Sequence, residues 1–197
     1  MPSGRTRTRL PPSARRDQLL DHARTMIVNN GLQRFTMEGL AAIAGVSAPL
    51  VYNYFKSRSE LLQTLLKREY GVFVEAITSA VSENEDFEDI VRVSVTSNFE
   101  HYAPGNVLPL LLSQPEIAVA VRKLREKHGQ QVARFLVRAA ARQYKLDKEY
   151  AQLMVTMSSG ASIAASEFAA NSGLDRDATI ELAVTYIMAG IKQLTRA

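Results

Sequence analysis

Apolar residues recur three and four positions apart along most of the chain, and each series is bracketed by residues that start or stop helices. Leu19, Ala23, Met26 and Ile27 predict a first helix, opened by Ser13 and closed at Asn29-Asn30-Gly31. Thr36 caps a short second helix with Leu40 and Ile43 on one side, ending at Gly45, and Ser47 to Tyr54 forms a third. Ser57-Arg58-Ser59-Glu60 reads as a capping box, with Glu60 reaching back to the Ser57 amide. It opens a long fourth helix striped by Leu62, Leu66, Phe73, Ile77 and Ala80.

Beyond the acidic stretch Glu83 to Asp89 the helices lengthen. Phe87, Val91, Val95, Phe99 and Tyr102 mark a fifth, stopped near Pro104-Gly105, and Asn106 to Ser113 is a brief, nearly all-apolar sixth. After Pro115 the series Ile117, Val121, Leu124, His128, Val132, Phe135, Ala139 predicts a seventh. Asp147 caps an eighth, with Met154, Met157, Ala161 and Phe168, and Asp175 a ninth, with Ile180, Val184, Ile187, Ile191 and Leu194. No strand or repeat remains, so the expected fold is all-α with about nine helices. We expect a basic disordered arm over 1–12, a helix-turn-helix domain over 13–57, a connecting helix over 58–82 and a helical bundle over 83–197.

Residues 31–56 are the most informative segment. Ala41, Ala42 and Ala44 are small where two helices must cross closely, and Gly45 takes the turn without the steric cost of a Cβ. Val46 and Val51 plug the space beneath the third helix, and Pro49 sits in its first turn, where an N–H has no intrahelical partner. Ala48, Pro49 and Leu50, followed by Tyr52, Asn53 and Tyr54, are short apolar or flat amphipathic groups suited to thymine methyls and phosphates in a major groove. Lys56 and Arg58 follow at a helix start that already favours phosphate.

Charge adds to this picture. Residues 1–70 hold eleven Lys/Arg against five Asp/Glu, and residues 71–197 hold thirteen against fifteen, so the net +4 belongs to the N-terminal third. Charge alone leaves a polyanion-binding module and a solubilising tail equally open. There is no Cys, and the three His (22, 101, 128) have no metal-binding spacing. Glu-x-x-His, Gly-x-Ser-x-Gly and phosphate-loop patterns are missing, so neither an enzyme nor a cofactor is expected. The longest apolar run, Val107 to Leu112, falls far short of the ~20 residues of a membrane span, and we expect a soluble cytoplasmic protein.

From Leu19 to Leu66 the chain resembles the DNA-binding domain of tetracycline-repressor-like transcriptional regulators. The resemblance is carried by Gly31-Leu32, Phe35-Thr36, the run Leu40 to Ser47, and Leu50-Val51-Tyr52-Asn53-Tyr54-Phe55-Lys56-Ser57-Arg58-Ser59-Glu60-Leu61-Leu62. It implies a homodimer that binds a near-palindromic double-stranded operator and is released by a small-molecule effector. It also implies that Thr36, Ser47, Ala48, Pro49, Leu50, Tyr52, Asn53, Tyr54, Lys56 and Arg58 meet DNA, with Arg58 a backbone clamp. Gly39 departs from the family pattern and costs about 1 kcal/mol against Ala in mid-helix, while Ala48 leaves one reading position without a hydrogen-bonding group.

For the bundle, Phe99, Tyr102, Leu111, His128, Phe135, Met154 and Met157 are candidates to line an apolar ligand pocket, with Asn98, His101 and Gln131 as weaker ones. The small-residue run Ser158 to Ala165 suits a close helical seam, within or between subunits. The expected dimer face is Gly160, Ala161, Ala164 and Phe168 of the eighth helix with Ile180, Val184, Ile187 and Ile191 of the ninth. A non-regulatory DNA-binding or carrier protein is the alternative reading.

Overall fold

The computed structural model describes residues 10–83, 86–103 and 105–195. Among them are nine α-helices and one 3₁₀ turn: α1 Pro12–Asn30, the turn Leu32–Arg34, α2 Met37–Ala44, α3 Ala48–Tyr54, α4 Arg58–Glu83, α5 Phe87–Tyr102, α6 Val107–Leu112, α7 Pro115–Tyr144, α8 Lys148–Ser172 and α9 Arg176–Leu194. The described residues contain no strand, and no helix among them is long and apolar enough to cross a membrane. Two compact units are present, Met1–Leu65 and Leu66–Ala197, with α4 running from one into the other.

Local chemistry sets the helix ends. Thr36, Asp86, Asn106, Asp147 and Asp175 each accept a backbone N–H in the first turn of the helix that follows. At α4, the Glu60 amide donates to Ser57 Oγ at 3.1 Å, and the Glu60 carboxylate accepts from the Lys56 amide at 2.7 Å, one residue before the expected Ser57. Ser13 does not cap α1: the helix already begins at Pro12, whose ring presets the first turn. Gly45 lies at φ 64°, in the left-handed region, and returns its amide to α2.

In the first unit Leu19, Leu20, Ile27, Phe35, Leu40, Val51, Phe55, Leu61, Leu62 and Leu65 are buried. Ile43, expected beside Leu40, is instead 53% exposed, because the buried stripe of α2 runs through Met37, Leu40 and Ala41 and Ile43 falls outside it, beyond Leu40. In the second unit one core joins α5, α7, α8 and α9 through Phe87, Ile90, Val95, Leu136, Val155, Val184, Ile187 and their neighbours. Ion pairs Arg92–Glu181 and Lys192–Glu88 (3.0 Å) tie α5 to α9 on the surface. Phe135, expected on the buried stripe of α7, sits at its edge, whereas Leu136, Val137 and Ala140 face inward. The expected arm residues Arg5, Arg7 and Arg9, the helix stop at Pro104 and the side chains of Val121, Leu124 and His128 lie outside the described residues.

Candidate DNA-recognition and ligand sites

The third helix is seven residues long and is held by two apolar anchors, Val51 and Phe55, both fully buried. Fixing those two leaves Pro49, Tyr52, Asn53 and Lys56 exposed at i, i+3, i+4 and i+7, a single helical face. Ser47 is exposed at the entry to the helix, and Ala48, Leu50 and Tyr54 are half-buried along its margins. Tyr52 donates its hydroxyl to Glu38 Oε1 at 3.2 Å, which sets the ring's direction. Burial, followed by the Glu38 hydrogen bond, pushes the Tyr52 phenol above its ordinary value, so it remains a neutral donor.

Thr36 is exposed, and its hydroxyl oxygen accepts the Gly39 amide at 3.0 Å. Gly39 is more than a weak helix former here. A Cβ at that position would stand 2.8 Å from Met26 Cε and 2.9 Å from Thr36 Oγ1, so the missing side chain makes room for the cap.

Arg58 does not have the expected arrangement of a backbone clamp. Its Nε donates to the Phe35 carbonyl at 3.1 Å and a terminal nitrogen donates to the Leu32 carbonyl at 2.9 Å. The guanidinium also lies 5.8 Å from the Phe35 ring centroid. The half-buried side chain is thus used to close the carbonyls of the 3₁₀ turn onto the start of α4. Arg16, counted in the basic N-terminal excess, is likewise committed, 4.9 Å over the Phe55 ring. Arg34, exposed in the 3₁₀ turn, is a cation the sequence reading passed over.

The second unit contains a cavity of about 410 Å³ walled by α4, α5, α7 and α8, with Ile187 from α9. Tyr70, Phe73, Phe87, Val91, Leu136 and Val155 supply its apolar surface, and Ser94, Asn98, Thr156 and Ser162 its polar points. Asn98 Nδ2 donates to Ser162 Oγ at 2.9 Å, which joins α5 to α8 inside the wall. Among the described residues no charged side chain lines the cavity. An ion placed deep within it would lose hydration with no opposite charge in return, a penalty of several kcal/mol.

Most of the expected pocket residues lie beside this cavity and not in it. Phe99 and Met154 are core, Leu111 is buried in α6, and Phe135 and Met157 are exposed. Tyr102 is half-buried and meets His101 edge to face, ring centroids 5.0 Å apart. In several cases the lining residue is the immediate neighbour: Asn98 beside Phe99, Leu136 beside Phe135, Val155 beside Met154. One step along a helix turns a side chain by about 100°. Ser158, Ser159, Gly160 and Ser162, expected at a tight seam, form part of the cavity wall instead. Small residues leave volume wherever larger neighbours hold two helices apart.

The dimer candidates also divide. Gly160, Ala164 and Phe168 are exposed on α8, with Ala161 half-buried beside them. Ile180, Val184, Ile187 and Ile191 are buried against the unit's own core. The outward apolar groups of α9 are Leu182, Tyr186 and Leu194, a second stripe the first one masked in the sequence.

The profile of the family described as bacterial regulatory proteins, tetR family, matches residues 19–65. The HTH-type transcriptional activator FasR of Mycolicibacterium smegmatis is 27% identical over 100% of this chain and 93% of its own length. Further curated relatives align over between 42% and 56% of their lengths. Among solved structures, the fatty acid degradation regulator FadR from Bacillus halodurans superposes with a TM-score of 0.70 at 21% identity, covering 91% of this chain and 96% of that one. FadR from Bacillus subtilis, solved with stearoyl-CoA, gives 0.60 at 20% identity, covering 85% and 97%. At those identities the superpositions establish the fold. With the helix-turn-helix geometry and the curated relatives, the chain is a DNA-binding transcriptional regulator and not an enzyme. Residues 19–65 match the TetR-type DNA-binding domain, and the chain is similar to TetR-like regulators.

Proposed function

We propose that this regulator is a repressor that binds a near-palindromic operator as a homodimer and is released by a small apolar or amphipathic ligand. The observation that carries the DNA half is the exposed face of α3: Pro49, Tyr52, Asn53 and Lys56 stand together on a helix anchored by Val51 and Phe55. That face enters the major groove, Tyr52 and Lys56 meet phosphate, and Ser47 and Thr36 meet backbone at the groove edge. A single seven-residue helix reads only a few base pairs. A twofold dimer doubles the readout over half-sites about one DNA turn apart, ~34 Å.

The outward stripe Leu153, Met157, Ala164 and Phe168 of α8, with Leu182, Tyr186 and Leu194 of α9, supplies a self-complementary apolar face for that dimer. The ligand occupies the cavity of the second unit, a reading supported by its apolar wall with few polar points and by the stearoyl-CoA held by FadR of Bacillus subtilis. Tyr70 and Phe73, which wall the cavity, stand on α4, the helix that also carries Leu61, Leu62 and Leu65 of the DNA-binding unit. A ligand that favours one placement of α4 changes operator affinity, and DNA changes ligand affinity by the same factor.

Footprinting on genomic fragments tests the reading. One short protected inverted repeat, lost when ligand is added, is the expected result; broad coating of DNA without sequence preference refutes it. Transcription from the protected promoter then fixes the sign of control, an informative measurement because FasR is named an activator.

A further inference from the structure

We infer that the groove between α7 and α8 holds a phosphorylated, multiply anionic head group whose attached apolar chain fills the cavity. This rests on the ligand reading above and specifies the ligand's chemistry. Two features of the cavity dictate a tail-in, head-out arrangement. The described residues of its wall carry no charge, so among them an anionic head has no counterion inside. Its route to the surface is marked by Gly129 of α7 and Gly160 of α8: both line the cavity, both are exposed, and a Cβ built on either would meet nothing within 4 Å.

What stands beside that opening is cationic. Ala133 lines the cavity and also a second groove of about 520 Å³, bounded by Gln130, Arg134, Arg138, Lys148 and Gln152. Lys127 joins Arg134 and Arg138 along the adjoining outer face of α7. Four cations thus border the two grooves, and among the described residues no acid lines either one. Arg134 and Arg138 are one turn apart, a like-charge spacing that repels on an isolated helix.

Among the described residues Arg92, Lys192, Arg176 and Arg122 are each paired with a carboxylate, whereas Lys127, Arg134, Arg138 and Lys148, like Lys67, Lys123, Arg142 and Lys145 elsewhere on the unit, form no ion pair. Arg134 Nε donates to the Gln130 carbonyl at 3.2 Å, which draws the side chain along the helix, and the residue lines the groove. Two guanidinium forks and a lysine lining one groove suit phosphate oxygens better than a lone carboxylate.

Calorimetry on the full-length chain with four probes tests this: palmitoyl-CoA, palmitoyl lysophosphatidic acid, palmitate and methyl palmitate. The phosphorylated probes are expected to bind at least tenfold more tightly than methyl palmitate, with an affinity that falls as salt rises. The double substitution Arg134→Gln with Arg138→Gln should abolish that preference and leave methyl palmitate binding unchanged. Gly129→Leu, which favours the helix, should weaken all acyl probes by closing the opening. Circular dichroism confirms that each variant is folded. If lysophosphatidic acid matches palmitoyl-CoA, a lipid phosphate is the source; if palmitoyl-CoA binds better, a nucleotide thioester is.

Unchanged palmitoyl-CoA affinity in the double variant overturns the inference while leaving the general ligand reading intact. So does a loss of operator affinity with ligand affinity unaltered, which assigns these cations to DNA. If no acyl probe binds, the inference and the apolar-ligand reading both fall, and operator binding, measured separately, still stands or fails by its own footprint.

Discussion

Replacing Arg58 by methionine separates a structural role from a DNA-contacting one. The wild-type side chain makes two charge-assisted hydrogen bonds, to the Phe35 carbonyl at 3.1 Å and the Leu32 carbonyl at 2.9 Å, and stacks near the Phe35 ring. Fully buried bonds of that kind are worth roughly 1.5–3 kcal/mol each, and half-burial reduces them to about 1. Adding a partly solvated cation–π contact gives an expected loss of about 2–3 kcal/mol, a fall in Tm of roughly 5–10 °C for a protein of this size. Arg58→Lys keeps the charge but cannot span two carbonyls with a planar fork, so it should cost nearly as much. Thermal unfolding of the three proteins measures this. The slope of log affinity for DNA against log salt supplies the second axis. A phosphate clamp lost from each subunit of a dimer would lower it by about 1.8, whereas an arginine committed to carbonyls leaves it unchanged. A lysine variant of wild-type stability, together with a shallower salt slope for the methionine variant, would refute the assignment made from the geometry.

Gly39→Ala should destabilise by about 1 kcal/mol, although helix propensity alone favours alanine by a similar amount, because the new methyl displaces the Thr36 cap and Met26; a rise in Tm would contradict this. Leu182→Glu with Tyr186→Glu should give a folded monomer in sedimentation and at least a tenfold loss in operator affinity, and a dimer that survives both changes places the interface elsewhere. The Glu88 hydrogen bond holds Lys192 above its ordinary value, and burial, followed by the charge of Asp86, raises Tyr144. For both groups the folded state binds its proton more tightly, so their stabilisation is present below about pH 10 and is lost as pH rises through the folded values. Lys192→Met with Tyr144→Phe should therefore flatten the alkaline limb of the stability profile, and an equally steep limb would exclude that linkage.

Helix boundaries were legible because capping is local chemistry. Thr36, Asp147 and Asp175 each meet an amide within the next three residues, so sequence neighbours suffice to identify them. The exposed face of α3 was legible for a similar reason: with Val51 and Phe55 buried, helical geometry leaves Pro49, Tyr52, Asn53 and Lys56 outside. The carbonyl partners of Arg58 were not legible because they lie 23 and 26 residues away, beyond any local pattern. Helices α7 and α9 failed for another reason. Each carries apolar residues around more than one face, and periodicity gives the existence of a stripe without saying which stripe meets the core. In α9 the inward series Ile180, Val184, Ile187 and Ile191 hid the outward Leu182, Tyr186 and Leu194.

The run from Ser158 to Ser162 shows why a cavity is harder to read than a core. Small residues on one helix permit close approach only if the facing helix also lacks spacers along the same line. Gly129 and Ala133 of α7 are themselves small, so their local composition would favour contact. Phe87 and Leu136, buried in the same wall, and Ile187 from α9 are the bulkier groups that keep the surrounding helices separated, and none is a neighbour of the run in sequence. The void is therefore a property of five helices jointly. A substitution that fills it, such as Ser159→Leu, need not disturb the helix that carries it, because the space it enters is the space a ligand would otherwise occupy.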